Sequence, residues 1–392
     1  MTPRGLKMLR RLCTATLATA MFCGLMTGAA SQAGADGRLD VVAENLVTPR
    51  GLTWDAHAGR VLVTEAGRGG PGPCAPGVGG YPACFGATGA ITSYTPGKKR
   101  GTERIATGLP SVINEFSVLG LHDIDASRGR ISVVFGLGGE LATRNGLGPA
   151  ARGLAQTGTI DRKGRLHPVG DLLAFEQRYN PHRADVNANA YGIVRVPGGT
   201  LVAEAGGNNI LSVTDNGSVR MVALMPDQIV DGKPLESVPS TIVKGPDGAF
   251  YISEYSGEPT RLGKARIWRM APGRKPTVVT SGFTGVIDLA FDRQGRMLVL
   301  ELAEKGFDSP DRTGRLVRVE KDGSRTVLAR EGLEHPGGVT RAPPRAKSNN
   351  HRQSPPGGGL RGEQSQPPPR ARAPPRPRRP PGGGGPLRVS AG

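Results

Sequence analysis

Short apolar runs recur along the chain in a fixed order, separated by turn residues. Six segments, PRGLTW, LHDIDA, AYGIVR, PSTIVK, VIDLAF and PGGVTR, align on Leu52, Ile124, Ile193, Ile242, Leu289 and Val339. Their successive separations are 72, 69, 49, 47 and 50 residues, a repeat of about one small sheet, with insertions in the first two units. After each of the first five starts comes a second strand pattern: VLVTEA, ISVVFG, TLVAEA, FYISEY and MLVLEL. Third patterns follow in GAITSY, GTIDR, NILSVT, ARIWRM and GRLVRV, and fourth patterns in ERIATG, PVGDLL, MVALM, TVVTSG and TVLAREG. Turn signals such as Pro246-Asp247-Gly248, Gln294-Gly295 and Asp322-Gly323 punctuate them, as an antiparallel meander requires.

One four-stranded meander cannot bury both of its faces, so the units must stack around an axis. The pattern therefore predicts an all-β chain folded as a β-propeller over residues 36–340. Residues 40–46, DVVAENL, match a fourth strand but precede the first inner strand. Such a strand would complete the last blade and staple the ring, which makes the design six-bladed. The sixth unit starts at EHPGGVT, yet its second and third strands do not follow, so the sixth blade is incomplete. From Arg341 to Gly392 the only aliphatic residues beyond Ala are Leu360, Leu387 and Val389, amid runs such as PPPRARAPPRPRRPP. A segment of that composition is expected to be disordered. It reads either as a surface linker or polyproline arm, or as the product of a shifted reading frame in a GC-rich gene; the abrupt break in composition favours the frameshift.

Composition changes this picture at the ends only. Arg4, Lys7, Arg10 and Arg11 precede an apolar run from Leu12 to about Met26 and small residues ending at Ala35, the pattern of a secretory signal over 1–35. No later run approaches the length of a transmembrane helix, so no transmembrane anchor is expected, and the protein is placed outside the cell or at its wall. The formal charge of +18 suggests nucleic acid until it is divided. The leader holds four basic and no acidic residues and the tail eleven basic residues against Glu363, which leaves +4 for the body. Without a basic stripe interleaved with aromatic residues, no nucleic-acid partner is expected. Only Cys74 and Cys84 remain after the leader, both within GPCAPGVGGYPACFG. In an exported chain they are expected to form a disulfide.

With these segments in order, the chain resembles the ScyD/ScyE family of exported propeller proteins, related in pattern to NHL repeats. The resemblance runs from about Leu39 to Val339 and departs at Arg341. PRGLTWD, VLVTEAGRGGPGPC with the second cysteine, and GATGAITSY carry it, supported by NAYGIVRVPGGTLVAEAGGNNIL and FTGVIDLAFD. It implies an exported propeller; a fold alone assigns no chemistry.

In a meander the inner strand begins and the second strand ends on the same rim. The second strands end at Glu65, Glu204, Glu254 and Glu301, with Phe135 in the second unit. The inner strands begin with Arg50, His122-Asp123, Tyr191, Ser240 and Asp288. Glu65, His122, Asp123, Tyr191, Glu204, Glu254, Asp288 and Glu301 thus form a candidate ligand rim, with Asn187, Asn189, Asn208 and Asn209 nearby. Such oxygen donors suit Ca²⁺ or another divalent cation, or a polyhydroxylated ligand. A second account needs no ligand: each glutamate satisfies loop amides or pairs with an arginine of its own blade. His122 beside Asp123 is either an acid/base or a structural hydrogen-bond partner. Gly136-Leu137-Gly138-Gly139 is expected in a loop, without the context of a phosphate-binding turn. The insertions after Glu65, after Phe135 and between Leu173 and Tyr191 are expected as rim loops that control access.

Two functions follow. The first is a noncatalytic binding or interaction module whose loop-rich rim takes a small molecule, a glycan or a protein. The alternative is a metal-dependent lactonase or hydrolase of the gluconolactonase type, in which a cation polarises a carbonyl and activates water. No catalytic or metal-ligating set is assignable residue by residue.

Overall fold

The computed structural model describes residues 39–98, 101–127, 129–343 and the backbone of 385–390. The expected leader and most of the tail lie outside the described residues. Five four-stranded antiparallel meanders follow one another. The first contains Pro49–Asp55, Arg60–Glu65, Pro82–Tyr94 and Thr102–Ile113. The second contains Val118–Ser127, Arg130–Gly139, Gln156–Ile160 and Leu166–Asp171. Ala188–Val196, Gly199–Glu204, Asn209–Thr214 and Val219–Leu224 make the third. Pro239–Lys244, Phe250–Glu254, Ala265–Met270 and Thr277–Phe283 make the fourth, and Val286–Phe291, Met297–Glu301, Arg315–Val319 and Arg325–Ala329 the fifth. Leu52, Ile124, Ile193, Ile242 and Leu289 all fall in the first strands of their sheets. Gly248, Gly295 and Gly323 turn with φ of 79°, 74° and 85°, the left-handed backbone that these tight turns need and that side chains disfavour.

Period-two alternation gives each sheet two apolar faces, and each face is buried against the next sheet. Leu62 and Ile91 of the first sheet meet Ile124, Val133 and Phe135 of the second. Val134 meets Ile193, Val202 and Leu211 of the third, and Leu201 and Ile210 meet Ile242, Phe250 and Trp268 of the fourth. Ala265, Ile267 and Phe283 then pack on Leu289, Val299 and Val317 of the fifth. This face-to-face succession is that of a β-propeller. Each fully buried Leu, Ile or Phe contributes on the order of 1.5–3 kcal/mol from surface removed from water.

Leu39–Leu46, the expected extra fourth strand, joins no four-stranded sheet. It pairs antiparallel with Gly385–Ser390. Its Ala43 and Leu46 pack against Val61 and Val63 of the first sheet, while Leu39 and Val339 lie against Leu300 and Leu316 of the fifth. The strand at 385–390 lies in the tail expected to be disordered, most of which is outside the described residues. Leu387 and Val389 are two residues apart with Arg388 between them, a period-two alternation too short to stand out within a Pro/Gly/Arg-rich tail.

The insertions are more than loops. Helices α1 (Leu141–Gly146) and α2 (Leu172–Tyr179) form in them. Asp171 caps α2 by accepting the Ala174 N–H at 3.0 Å. Leu147, Leu154, Leu173 and Ala188 build a small core there with Phe85, Val112 and Leu137. The run Gly136–Gly139 is also not a loop: it ends the strand Arg130–Gly139, just before α1. Cys74 and Cys84 are joined in a disulfide and face each other across a short ladder. Among the described residues no helix is long and apolar enough to cross a membrane.

Candidate functional site

Strand register puts the four glutamates where the sequence places them. Glu65, Glu204, Glu254 and Glu301 oppose Pro49, Ala190, Pro239 and Val286, at the starts of the inner strands. Their side chains, however, are at most 1% exposed and are held within their own blades. Glu65 accepts the Val47 N–H at 2.7 Å and the Thr92 hydroxyl at 2.6 Å, and Arg104 grips both oxygens at 2.9 and 2.7 Å. Burial raises its pKa, but those bonds outweigh burial and leave it below the ordinary carboxylate value. Glu254 accepts from the Ser237 hydroxyl at 2.6 Å, from the Trp268 indole at 2.7 Å, and from Arg266 at both oxygens, each at 2.7 Å. Glu301 accepts the Thr284 N–H at 2.6 Å and pairs with Arg315.

Glu204 alone has no cation. It accepts the amides of Asn189, Gly206 and Gly207 at 2.5, 3.3 and 2.5 Å, and burial still pushes its pKa up to about 7. These oxygens are committed to amides, hydroxyls and guanidinium groups, so they do not fit as ligands of a divalent cation. Among the described residues no group of three or more His, Cys, Asp or Glu side chains is arranged to hold a metal. The arginine partners follow the account in which each glutamate pairs within its own blade; the sequence reading did not name them, although two were visible, since Arg266 and Arg315 both stand at the starts of third strands, opposite the glutamates.

The other four candidates line a cavity of about 1430 Å³ that runs from the inner strands into the space between the fifth and first sheets. Asp123 and Asp288 spend their oxygens on backbone amides and, for Asp288, a hydroxyl of the preceding sheet. Asp123 accepts the Ile193 N–H at 2.9 Å. Asp288 accepts the Thr241 hydroxyl at 3.0 Å, the Leu289 N–H at 2.8 Å and the Val339 N–H at 2.7 Å. Burial pushes Asp288 up to about 7; burial and then the Asp288 charge push Asp123 well above the ordinary value. A Cβ on Gly338 would stand 3.1 Å from the Arg50 carbonyl oxygen and 3.2 Å from Asp288 Oδ2, so residues 337–339 run between the first and fifth inner strands.

His122 and Tyr191 belong to a different group. Their rings are 4.3 Å apart, and Arg50 donates from Nη1 to the Tyr191 hydroxyl at 2.9 Å and from Nη2 to the Val118 carbonyl at 2.8 Å. His122 Nδ1 is 2.9 Å from the Ala190 carbonyl oxygen. Burial, reinforced by the Arg50 charge, pushes the His122 pKa down to about 3, so the imidazole is neutral at pH 7. Nδ1–H must then donate to Ala190, leaving a lone pair on Nε2. His122 Nε2 and Arg50 Nε are buried and have no hydrogen-bond partner. Gly136 makes this packing feasible, since a Cβ there would collide with the His122 ring and the Asn189 carboxamide. Asn187 and Asn189 also line the cavity with unpartnered Oδ1 atoms. Asn208 and Asn209 instead fix loops, through the Val238 N–H at 2.6 Å and the Gly207 carbonyl at 3.0 Å.

No family model and no curated protein matches the chain. Solved structures resembling it include a streptogramin B lyase, 14% identical over 79% of this chain and 93% of that one, with a TM-score of 0.44. A gluconolactonase of Xanthomonas campestris is 10% identical over 76% and 82%, with a TM-score of 0.44. A catalytically inactive virginiamycin B lyase of Staphylococcus aureus is 18% identical over 74% of each chain, with a TM-score of 0.39. At such distance none of their chemistry transfers to this chain.

Proposed function

We propose that this chain is an exported binding module of the ScyD/ScyE kind, built on a six-bladed propeller plan, that takes a small molecule in its cavity beside Arg50, His122 and Tyr191. One observation carries the reading: Arg50 Nε and His122 Nε2 are a buried donor and a buried acceptor on the same cavity group, and both lack partners. Buried polar groups are almost always satisfied, so a ligand that supplies an acceptor to one and a donor to the other gains from both. The six-blade plan is supported by Val339 docking on Asp288 and by Leu39–Leu46 packing against the first sheet. The metal-dependent lactonase has less support, because the rim glutamates that would feed a cation are bound within their blades.

The test is a ligand-observed magnetic resonance screen of carboxylates, sugars and lactones against chelator-treated wild type and an Arg50→Gln/His122→Gln variant of matched stability. Hits that vanish in the variant, with no lactone turnover, are expected. Lactone hydrolysis that requires added divalent metal would overturn the binding-only reading.

A further inference from the structure

We infer that the cavity selects an aromatic carboxylate, held by Arg50 through its charge and by Phe116 through its ring. This rests on the binding site proposed above and names its ligand class.

Arg50 has five N–H donors. One goes to the Tyr191 hydroxyl and one to the Val118 carbonyl, both neutral acceptors. Among the described residues it forms no ion pair, and its buried Nε–H is unused. A half-buried guanidinium without an anion is the condition under which a carboxylate gains most. The Nε–H and a neighbouring terminal N–H form the fork that a carboxylate accepts at both oxygens. Asp123 and Asp288, on the same cavity, do not fill the role because their oxygens hold backbone amides.

Phe116 supplies the second half. It precedes by two residues the Val118 carbonyl that anchors Arg50, lines the same cavity, and is 62% exposed. Its backbone is nonetheless fixed: Asn114 Oδ1 accepts the Phe116 and Ser117 amides at 3.0 and 2.8 Å. Tyr81, on the disulfide-closed loop, supports the ring edge-on at a centroid distance of 4.8 Å. A chain with only 4% aromatic residues thus holds a large exposed apolar ring on the same cavity that Arg50 lines. A flat ligand ring covers that surface with offset or edge-on packing. His122 Nε2 adds an acceptor for a ring hydroxyl.

The experiment is calorimetry with 4-hydroxybenzoate, benzoate, methyl 4-hydroxybenzoate and inorganic phosphate, on wild type and on Arg50→Gln, Arg50→Lys, Phe116→Ala and His122→Gln variants whose folding is checked by circular dichroism. The two carboxylates are expected to bind. Arg50→Gln weakens them roughly 10- to 100-fold, and Arg50→Lys restores only part, since a lysine offers no fork. Phe116→Ala weakens them roughly 5- to 10-fold, and of the two carboxylates His122→Gln affects only 4-hydroxybenzoate. Methyl ester binding equal to the acid, or phosphate binding equal to both and untouched by Phe116→Ala, overturns the ligand class while leaving the cavity as a site. Silence of all four probes overturns the ligand class as well, and the screen of sugars and lactones then decides whether the cavity binds at all.

Discussion

At the residue scale, a glutamate repeated at one register position does structural work. Glu254 shows this best: removing its carboxylate leaves the Trp268 indole N–H and the Ser237 hydroxyl without an acceptor in a buried setting, and leaves Arg266 without its counterion, holding the Pro226 carbonyl alone. Glu254→Ala is expected to destabilise the fold by about 3–5 kcal/mol, because the surviving guanidinium is stranded, and Glu254→Gln by about 1–3 kcal/mol. Urea denaturation checks both; a loss below about 1 kcal/mol for the alanine variant would contradict the assignment. The height of these glutamates on the rim was legible from strand order. Their orientation was not, because it depends on partners from other strands: Arg266 and Arg315 on third strands, and Arg104 on a fourth. Arg50 was harder still, since it stands where the aligned units carry a histidine, a tyrosine, a serine or an isoleucine, and its significance lies in forming no ion pair among the described residues.

At the element scale, every inner, second and third strand was placed, although the third strand of the first sheet starts already at Pro82 and the second strand of the second sheet runs on to Gly139. Period-two runs of β-branched and aromatic residues between glycine turns leave little choice of structure. The insertions were not legible because their helices are short. Leu172 and Leu173 end a strand-like run in the sequence, but the Asp171 cap turns the chain into α2 and buries both leucines. The disulfide loop is another such element, since it carries Tyr81 behind Phe116. Cys74→Ser, or reduction, is expected to cost about 2–3 kcal/mol from the loop closure lost. It should also weaken binding of the aromatic carboxylates, as Phe116→Ala does. Melting curves with and without reductant, beside calorimetry, test this; a variant with unchanged melting temperature and affinity would show that the bridge holds nothing in place.

At the scale of the whole molecule, buried acids set the pH range of stability. Asp288 and Glu204, both pushed up to about 7 by burial, and Asp123, raised by burial and by Asp288, favour the folded state when protonated. Their contribution is complete below the ordinary carboxylate range and is lost as pH rises through about 7. His122, pushed down to about 3, and Glu65, held below its ordinary value, act on the acid side: their contributions are present above the ordinary values and lost as pH falls through the lowered ones. The melting temperature is therefore expected to fall by on the order of 5 °C between pH 6 and 8.5, and Asp288→Asn should flatten that slope. A profile that is level or rising over this range in the wild type would contradict the account.

The glutamate clasps also bear on how such a succession of sheets can change over time. Thr92 and Arg104, Ser237 and Arg266, and Thr284 and Arg315 each lie in the same sheet as, or the turn beside, the carboxylate they satisfy. A unit duplicated, deleted or exchanged by recombination would bring its own polar wiring along and leave that of its neighbours intact. What such an event must preserve is the handhold between one sheet and the segment that follows it, Asp123 on Ile193 and Asp288 on Val339, so the seams rather than the sheets limit which rearranged chains can still pack.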